Sequence, residues 1–67
     1  MKIYLNDVIT DLPSDFMTVG DLLAWKNINP VATAIAVNNR HIRKDKWDST
    51  PLNSNDRVTI INGAFGG

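Results

Sequence analysis

Alternating apolar and polar positions predict strands at both ends of the chain. Residues 2–5 alternate, the pair Asn6-Asp7 is a turn signal, and residues 8–12 are rich in β-branched side chains. Together they predict a β-hairpin, which Pro13 ends because proline has no N–H to donate to a strand ladder. Near the other end, four of the five residues in 57–61 are β-branched, which predicts the last strand.

One amphipathic helix is predicted in the first half of the chain. Thr18 is a suitable N-cap, and Asp21 can reach back to the amide of Thr18 as in a capping box. Asn29-Pro30 ends the pattern, because the residue before proline is pushed out of the α region. Trp25 lies off the apolar face, and either covers the sheet edge or forms an exposed contact. The apolar face consists of Val19, Leu22 and Leu23.

Two more strands and a long loop are predicted in the second half. Residues 34–37 alternate small and large side chains, and the small side suggests that the helix packs closely there. Asn38-Asn39 is a tight-turn pair, because asparagine tolerates positive φ, and residues 40–43 return as a short strand. Residues 44–54 predict a polar, irregular loop. Two large apolar side chains are expected to fix this loop to the core: Trp47 and Leu52.

The predicted element order is β-β-α-β-β with one short extra strand. This order indicates an α+β fold, a mixed sheet with one main helix packed on one face. The last strand is apolar on both sides, which favours a central position. If the first and last strands are neighbours, they run parallel, as in a β-grasp. We therefore expect a β-grasp domain over residues 1–62 and a flexible C-terminal tail over residues 63–67.

Composition narrows the functional classes. The 67 residues carry no net charge, which argues against a nucleic-acid-binding protein with a basic footprint. There is no cysteine and a single histidine, His41, so neither a disulfide nor a Cys/His zinc site is available. We expect His41 at the surface. The sequence shows no signal peptide and no apolar run of membrane-spanning length, which predicts a cytoplasmic protein without a membrane partner.

The final residues form a tail of mostly small side chains. Packing of the domain does not explain this composition. The last strand runs into Gly63 and Ala64, then Phe65, and the sequence closes on Gly66-Gly67. Glycine keeps the main chain slim and able to bend, so such a tail could enter a narrow channel and present its α-carboxylate. Two ordinary explanations compete with this one, a frayed terminus and a glycine-ended expression scar.

Several short segments follow one another in a characteristic order along nearly the whole chain. They are Ile3-Tyr4-Leu5-Asn6-Asp7, Thr18-Val19-Gly20-Asp21-Leu22-Leu23, Ala36-Val37-Asn38, Arg43 with Trp47, Leu52, Asn55-Asp56-Arg57-Val58-Thr59-Ile60-Ile61, and Gly66-Gly67. At this length, the set resembles the ThiS sulfur-carrier family of thiamine biosynthesis, within the ubiquitin-like β-grasp superfamily. The family often has glycine where this chain has Asn55, which can take the same positive φ, and an aliphatic residue where Phe65 stands.

The resemblance implies a sulfur carrier that acts as a co-substrate and is not itself an enzyme. A ThiF-type adenylating enzyme would use ATP and magnesium to adenylate the Gly67 carboxylate. Sulfur from a donor such as a cysteine desulfurase would then replace AMP and leave a thiocarboxylate. Thiazole synthase, ThiG, would accept that sulfur, and the chain itself would bind no cofactor. The tail residues expected to thread into partner active sites are Gly63, Ala64, Phe65 and Gly66.

Phe65 is the one large side chain of the tail, and two roles are open for it. It either anchors the tail in a groove of a partner or folds back on the domain.

Three other functions are also open. The small sulfur-carrier subunit of molybdopterin synthase has the same fold and terminal chemistry, although its relatives often carry prolines before the final glycines, and residues 61–65 have none. A ubiquitin-like protein modifier would join Gly67 to lysines of target proteins and would produce heavier conjugates in cells. A plain binding domain would keep its activity after deletion of Gly66-Gly67.

Overall fold

A five-stranded mixed sheet with one α-helix on one face makes up the fold, in a computed structural model that describes residues 1–63. The elements are β1 (Lys2–Leu5), β2 (Val8–Asp11), α1 (Val19–Trp25), β3 (Thr33–Val37), β4 (Arg40–Ile42), a 3-10 helix (Lys44–Ser49) and β5 (Arg57–Asn62). Their order across the sheet is β2-β1-β5-β3-β4. The pair β1 and β5 is parallel and the other pairs are antiparallel, which confirms the predicted β-grasp arrangement.

The core lies between α1 and the helix-facing side of the sheet, called here the inner face. The register places Leu5 opposite Val58, and Ile35 opposite Ile60, so the central strands present their large side chains to the helix. The predicted apolar face of α1 is buried, as are the two side chains expected to fix the long loop. The buried core consists of Ile3, Leu12, Met17, Val19, Leu22, Leu23, Ile35, Trp47, Leu52 and Val58.

The small side of β3 does not face the helix, so the packing expected from its alternation was wrong. Ile35 is buried in the core, whereas Ala34 is exposed and Ala36 is half-buried. Ala36 is paired with Thr59 and with His41, and these residues form part of the opposite side of the sheet, called here the outer face. The large side chain turns inward because burial of apolar area against α1 is what stabilises the sheet, and alanine has little area to bury.

Local signals fix the helix start and the turns as the sequence predicted. The Thr18 hydroxyl accepts a hydrogen bond from the Asp21 N–H at 3.1 Å, and the Asp21 carboxylate accepts one from the Thr18 N–H at 2.9 Å, which completes the capping box. Asn6-Asp7, Asn38-Asn39 and Asn55 all adopt positive φ, between 48° and 70°.

The segment expected to be an irregular loop contains the 3-10 helix. Its anchor is Trp47, which is only 6% exposed and whose Nε1–H donates to the Ile42 carbonyl oxygen at 3.0 Å. The first turn of α1 lies against the 3-10 helix, since a Cβ added to Gly20 would lie 3.6 Å from the Asp48 Cα, an ordinary contact. The Asp48 carboxylate, at the end of an exposed side chain, would have to turn away from such a Cβ.

A buried carboxylate connects the β3–β4 turn to the start of β5. Asp56 accepts hydrogen bonds from the Asn38 side-chain amide at 3.0 Å and from the Asn53 N–H at 2.8 Å. Both of its oxygens therefore have a partner, as a buried charge requires. This contact fixes the entry of β5, the strand that leads to the tail.

Candidate functional site

The strand that leads to the tail extends beyond its parallel neighbour. β1 ends at Leu5, opposite Val58, while β5 continues to Asn62. The Asn6 side chain occupies the position where β1 would have continued. Its Oδ1 accepts from the Ile60 N–H at 2.8 Å, and its Nδ2 donates to the Ile60 carbonyl oxygen at 3.3 Å. The amide thus satisfies both main-chain groups of Ile60 where β1 no longer pairs with β5.

On its other side, β5 is held by β3 up to the last described residue. Thr33 is paired with Asn62, and the Gly63 N–H donates to the Ala32 carbonyl oxygen at 2.8 Å. Gly63 has no positive φ, and a Cβ added there would lie 3.6 Å from the Ala32 carbonyl oxygen, an ordinary contact. The described fold therefore does not itself require glycine at position 63.

The remaining predicted site residues lie outside the described part of the chain. These are Ala64, Phe65, Gly66 and Gly67. The predicted boundary between a domain over 1–62 and a flexible tail over 63–67 stays a prediction, as does the threading of the tail into partners.

An apolar groove opens beside the end of β5, on the inner face, with a volume of about 450 Å³. Its floor is formed by three half-buried side chains, Leu5, Ile28 and Ile60. Its rim is polar and consists of Asn6, Lys26, Asn27, Asn29 and Asn62. A groove with an apolar floor and a polar rim can hold one large apolar side chain together with a short piece of main chain.

The end of α1 builds one wall of this groove. Asn27 adopts a φ of 55° just after the helix, and the Ile28 N–H donates to the Leu23 carbonyl oxygen at 2.9 Å. Together with the bond from the Asn27 N–H to the Ala24 carbonyl oxygen, this is a Schellman motif with asparagine in the usual glycine position. The motif reverses the chain and directs Ile28 toward the core and the groove.

Side-chain hydrogen bonds fix the rim next to the tail. The Asn62 Nδ2 donates to the Thr33 hydroxyl at 2.9 Å and to the Asn29 carbonyl oxygen at 3.3 Å. The Thr33 hydroxyl donates to the same carbonyl at 2.6 Å, and the Val31 N–H donates to the Asn29 side chain at 2.9 Å. The loop between α1 and β3 is therefore tied to the last residue of β5.

The outer face of the sheet offers a second surface that leads to the tail. Near the start of β5, the Arg57 guanidinium lies 4.8 Å from the centroid of the Tyr4 ring. Toward the end of β5, Ile61 is 63% exposed beside the small side chain of Ala34. No described helix covers this face. It is a shallow, partly apolar surface that a larger protein could contact.

Within 1–63 there is no group of three or more His, Asp or Glu side chains placed to hold a metal ion. His41 is exposed on β4, as predicted. Trp25 is 42% exposed, with the Lys26 Nζ 5.6 Å from the centroid of its ring, which favours the exposed alternative. None of the helices in this part of the chain is long and apolar enough to cross a membrane.

Sequence reasoning missed the residues that hold the end of β5. Asn6 was interpreted only as a turn residue, and Ile28 and Asn62 were given no role. Asn6 and Ile60 are 54 positions apart, so no local pattern links them. The one signal available was the excess of asparagine around α1 and β5, which turn preference alone does not explain.

Comparison with known proteins identifies a family and a solved structure of similar fold. The model of the ThiS family matches residues 3–67. Among solved structures, the chain is similar to the crystal structure of a thiamine biosynthesis protein (ThiS) from Geobacter metallireducens, with a TM-score of 0.83 and 19% identity over 92% of this chain and 93% of that one. No curated protein matches the sequence. At 19% identity the structural likeness shows the fold, whereas the family model covers the tail as well.

Proposed function

The chain belongs to the ThiS family, and from that membership we propose that it is a sulfur carrier of thiamine biosynthesis whose C-terminal Gly67 bears the sulfur. The observation that carries the proposal is the extent of the family match, residues 3–67, which includes Gly66-Gly67. In the proposal the chain is a protein co-substrate, and partner enzymes perform the catalysis.

The proposed chemistry begins with activation of the Gly67 carboxylate. A carboxylate is a poor electrophile, so a ThiF-type adenylating enzyme joins it to the α-phosphate of ATP and releases pyrophosphate. The acyl adenylate has AMP as a good leaving group. When the donor is a persulfide such as that of a cysteine desulfurase, its terminal sulfur attacks the carbonyl carbon and expels AMP. A thiol then cleaves the resulting acyl disulfide and is itself oxidised to a disulfide. The product on Gly67 is a thiocarboxylate, whose sulfur is ionised and nucleophilic at neutral pH.

The proposed acceptor is thiazole synthase, ThiG, which would take the sulfur into the thiazole ring of thiamine. The absence of cysteine from the sequence fits this chemistry, because an internal thiol would compete for the activated carbonyl. The proposal keeps Gly63, Ala64, Phe65 and Gly66 as the residues that thread into the partner active sites.

The described domain is suited to present such a tail to a partner enzyme. The Asn6 side chain and the bond from the Gly63 N–H to the Ala32 carbonyl oxygen hold β5 from both sides up to residue 63. The sheet therefore sets the course of the main chain up to Gly63. In the proposal, a partner that contacts the outer face receives the tail from this fixed point, which lowers the entropic cost of alignment.

Intact-protein mass spectrometry tests the proposal. The purified chain is incubated with ATP, magnesium, a ThiF-type enzyme, a cysteine desulfurase and cysteine. We expect a mass gain equal to replacement of one oxygen by sulfur, mapped to Gly67. A variant that lacks Gly66-Gly67 is the control, with its fold verified by circular dichroism, and it should gain no mass.

Two outcomes would contradict the sulfur-carrier proposal. With partner enzymes verified on their own carrier, an unchanged mass would remove it. Conjugates of Gly67 to lysines of other proteins would indicate a ubiquitin-like modifier instead. If the thiocarboxylate forms but supports molybdopterin synthase and not thiazole synthase, the carrier chemistry holds and thiamine biosynthesis is excluded.

A further inference from the structure

We propose that the loop between α1 and β3 is a positioning device for partner reactions, because it fixes the point at which β5 ends. Asn29 and Thr33 hold the Asn62 side chain, and Ala32 holds the Gly63 main chain. These five residues are called here the β5 clamp. The purpose of the clamp rests on the proposed sulfur-carrier function, whereas its hold on Gly63 can be measured without any partner.

Two separate sets of hydrogen bonds make up the β5 clamp. The main-chain bond runs from the Gly63 N–H to the Ala32 carbonyl oxygen at 2.8 Å. The side-chain bonds run from the Asn62 Nδ2 to the Thr33 hydroxyl at 2.9 Å and to the Asn29 carbonyl oxygen at 3.3 Å. Strand pairing requires only the main-chain ladder. The side-chain bonds are therefore an addition, made at the last residue of β5.

Ala32 is held in a conformation that alanine disfavours. Its φ is 58°, and it is the one positive-φ residue in the described part of the chain that is neither asparagine nor aspartate. Left-handed backbone brings the Cβ close to the following carbonyl oxygen, and alanine has no polar side chain to compensate. Such a conformation persists only where its surroundings determine it, and it is found often at sites that need fixed geometry.

The loop itself supplies the contacts that hold Ala32. The Thr33 N–H donates to the Pro30 carbonyl oxygen at 3.3 Å, and the Thr33 hydroxyl donates to the Asn29 carbonyl oxygen at 2.6 Å. The same hydroxyl accepts the bond from Asn62. One hydroxyl group thus closes the loop and ties it to β5, so its removal weakens both halves of the clamp.

The β5 clamp limits how much of the chain has to be ordered when a partner receives the tail. Without the clamp, Asn62 and Gly63 join the segment whose backbone freedom is lost at that step, and each ordered residue opposes it. Docking of the domain on its outer face precedes the step and does not involve the clamp. Loss of the clamp should therefore lower kcat, the rate within the docked complex, and leave KM for the carrier nearly unchanged.

Hydrogen exchange followed by NMR tests the hold on Gly63 directly. Replacement T33V removes the hydroxyl and keeps a β-branched side chain of the same shape. We expect the Gly63 N–H to exchange about fivefold faster in T33V than in the parent chain, the factor that corresponds to one net hydrogen bond. The Ile60 N–H, which donates to Asn6, should keep its rate and so show that the effect is local. T33S keeps the hydroxyl and should restore the parent rate at Gly63.

Thr10 provides a matched control on the opposite edge of the sheet. It is half-buried like Thr33, it lies in a strand, and its hydroxyl also donates to a main-chain oxygen, that of Val8 at 3.0 Å. Replacement T10V therefore removes a comparable hydrogen bond far from the end of β5. It should leave the exchange of the Gly63 N–H unchanged.

Steady-state kinetics give a readout that a purely structural role would not change. Adenylation by a ThiF-type enzyme is followed by ATP–pyrophosphate exchange at increasing carrier concentration. We expect kcat to fall about fivefold in T33V with KM within about twofold of the parent, because at least one more residue has to be ordered. N62D, which has no amide N–H to donate, should follow T33V, and T33S and T10V should match the parent. Partial unfolding would instead raise the apparent KM and leave kcat unchanged.

The outcomes distinguish the β5 clamp from the carrier function. Equal exchange of the Gly63 N–H in T33V and the parent would overturn the clamp. Faster exchange with an unchanged kcat would show that the clamp holds β5 without positioning the tail, and would overturn its proposed role. If the parent chain is not adenylated at all, the sulfur-carrier proposal fails and the positioning role falls with it, whereas exchange at Gly63 still decides whether the clamp exists.

Discussion

At the scale of single residues, asparagine serves two purposes in this chain. It adopts positive φ in turns, and its side-chain amide forms hydrogen bonds to other strands. Positive φ occurs at seven described residues, and no described glycine has it. Five of the seven are asparagines, and the full set is Asn6, Asp7, Asn27, Ala32, Asn38, Asn39 and Asn55. Glycine would supply the backbone angle, but not the amide with which Asn6 bonds Ile60 or with which Asn38 bonds Asp56. The turns therefore also connect distant strands.

The amide of Asn6 can be tested apart from the turn it occupies. Replacement N6G keeps the positive φ but removes both bonds to Ile60. We expect the free energy of unfolding in urea to fall by about 1 kcal/mol, since two partly exposed hydrogen bonds are exchanged for bonds to water. The Ile60 N–H should also exchange its hydrogen faster.

The adjacent turn residue is the control for N6G. Asp7 has a φ of 68°, and its carboxylate is nearly fully exposed, 3.7 Å from Arg57. An exposed ion pair contributes little, so D7G should share the backbone effect of glycine without the effect on Ile60. Equal destabilisation by both variants would show that the Asn6 side chain does not support β5.

At the scale of elements, a short helix is held by its surroundings. α1 has seven residues, and a helix of this length is not stable alone in water. Its capping box, its Schellman motif and its contact with the 3-10 helix supply the stability. The 3-10 helix in turn depends on Trp47, whose ring is buried and whose Nε1–H is bonded to Ile42.

The two tryptophans allow a matched comparison. Replacement W47F removes the bond to the Ile42 carbonyl oxygen and leaves a small cavity, so we expect a loss of about 2 kcal/mol in the free energy of unfolding. Replacement W25F changes a partly exposed ring and should stay within about 0.5 kcal/mol of the parent chain. Urea denaturation, followed by far-ultraviolet circular dichroism, measures both. A W25F loss equal to that of W47F would refute the anchoring role.

The elements whose signals are local could be predicted from the sequence. The capping box of Thr18 and Asp21 and the turn at Asn38-Asn39 are each encoded within a few residues, and both are confirmed. The side of β3 that faces α1 was predicted wrongly, because it depends on register between Ile35 and Ile60. The groove could not be predicted either, since its lining combines the end of α1 with the end of β5, which are distant in the sequence.

At the scale of the whole molecule, β5 separates two surfaces that both lead to the tail. The groove lies on its inner face, and the shallow surface around Ile61 and Ala34 lies on its outer face. No described helix covers the outer face, so a partner could dock there beside the end of β5.

The outer face next to the tail should therefore govern partner affinity before any chemistry occurs. Ile61 and Val8 are equally exposed, at 63% and 64%, but Val8 lies on the edge strand β2, opposite Leu5 on the inner side. Replacement I61S should weaken binding to a ThiF-type enzyme roughly tenfold, because an apolar contact of this size is lost, while V8S should bind like the parent chain. Isothermal titration calorimetry without ATP measures the affinity of each. Val8 lies on an edge strand and Ile61 on a central one, where β-propensity acts differently, so circular dichroism has to show that both variants are fully folded before their affinities are compared. Equal affinities for I61S and V8S would place the docking surface elsewhere.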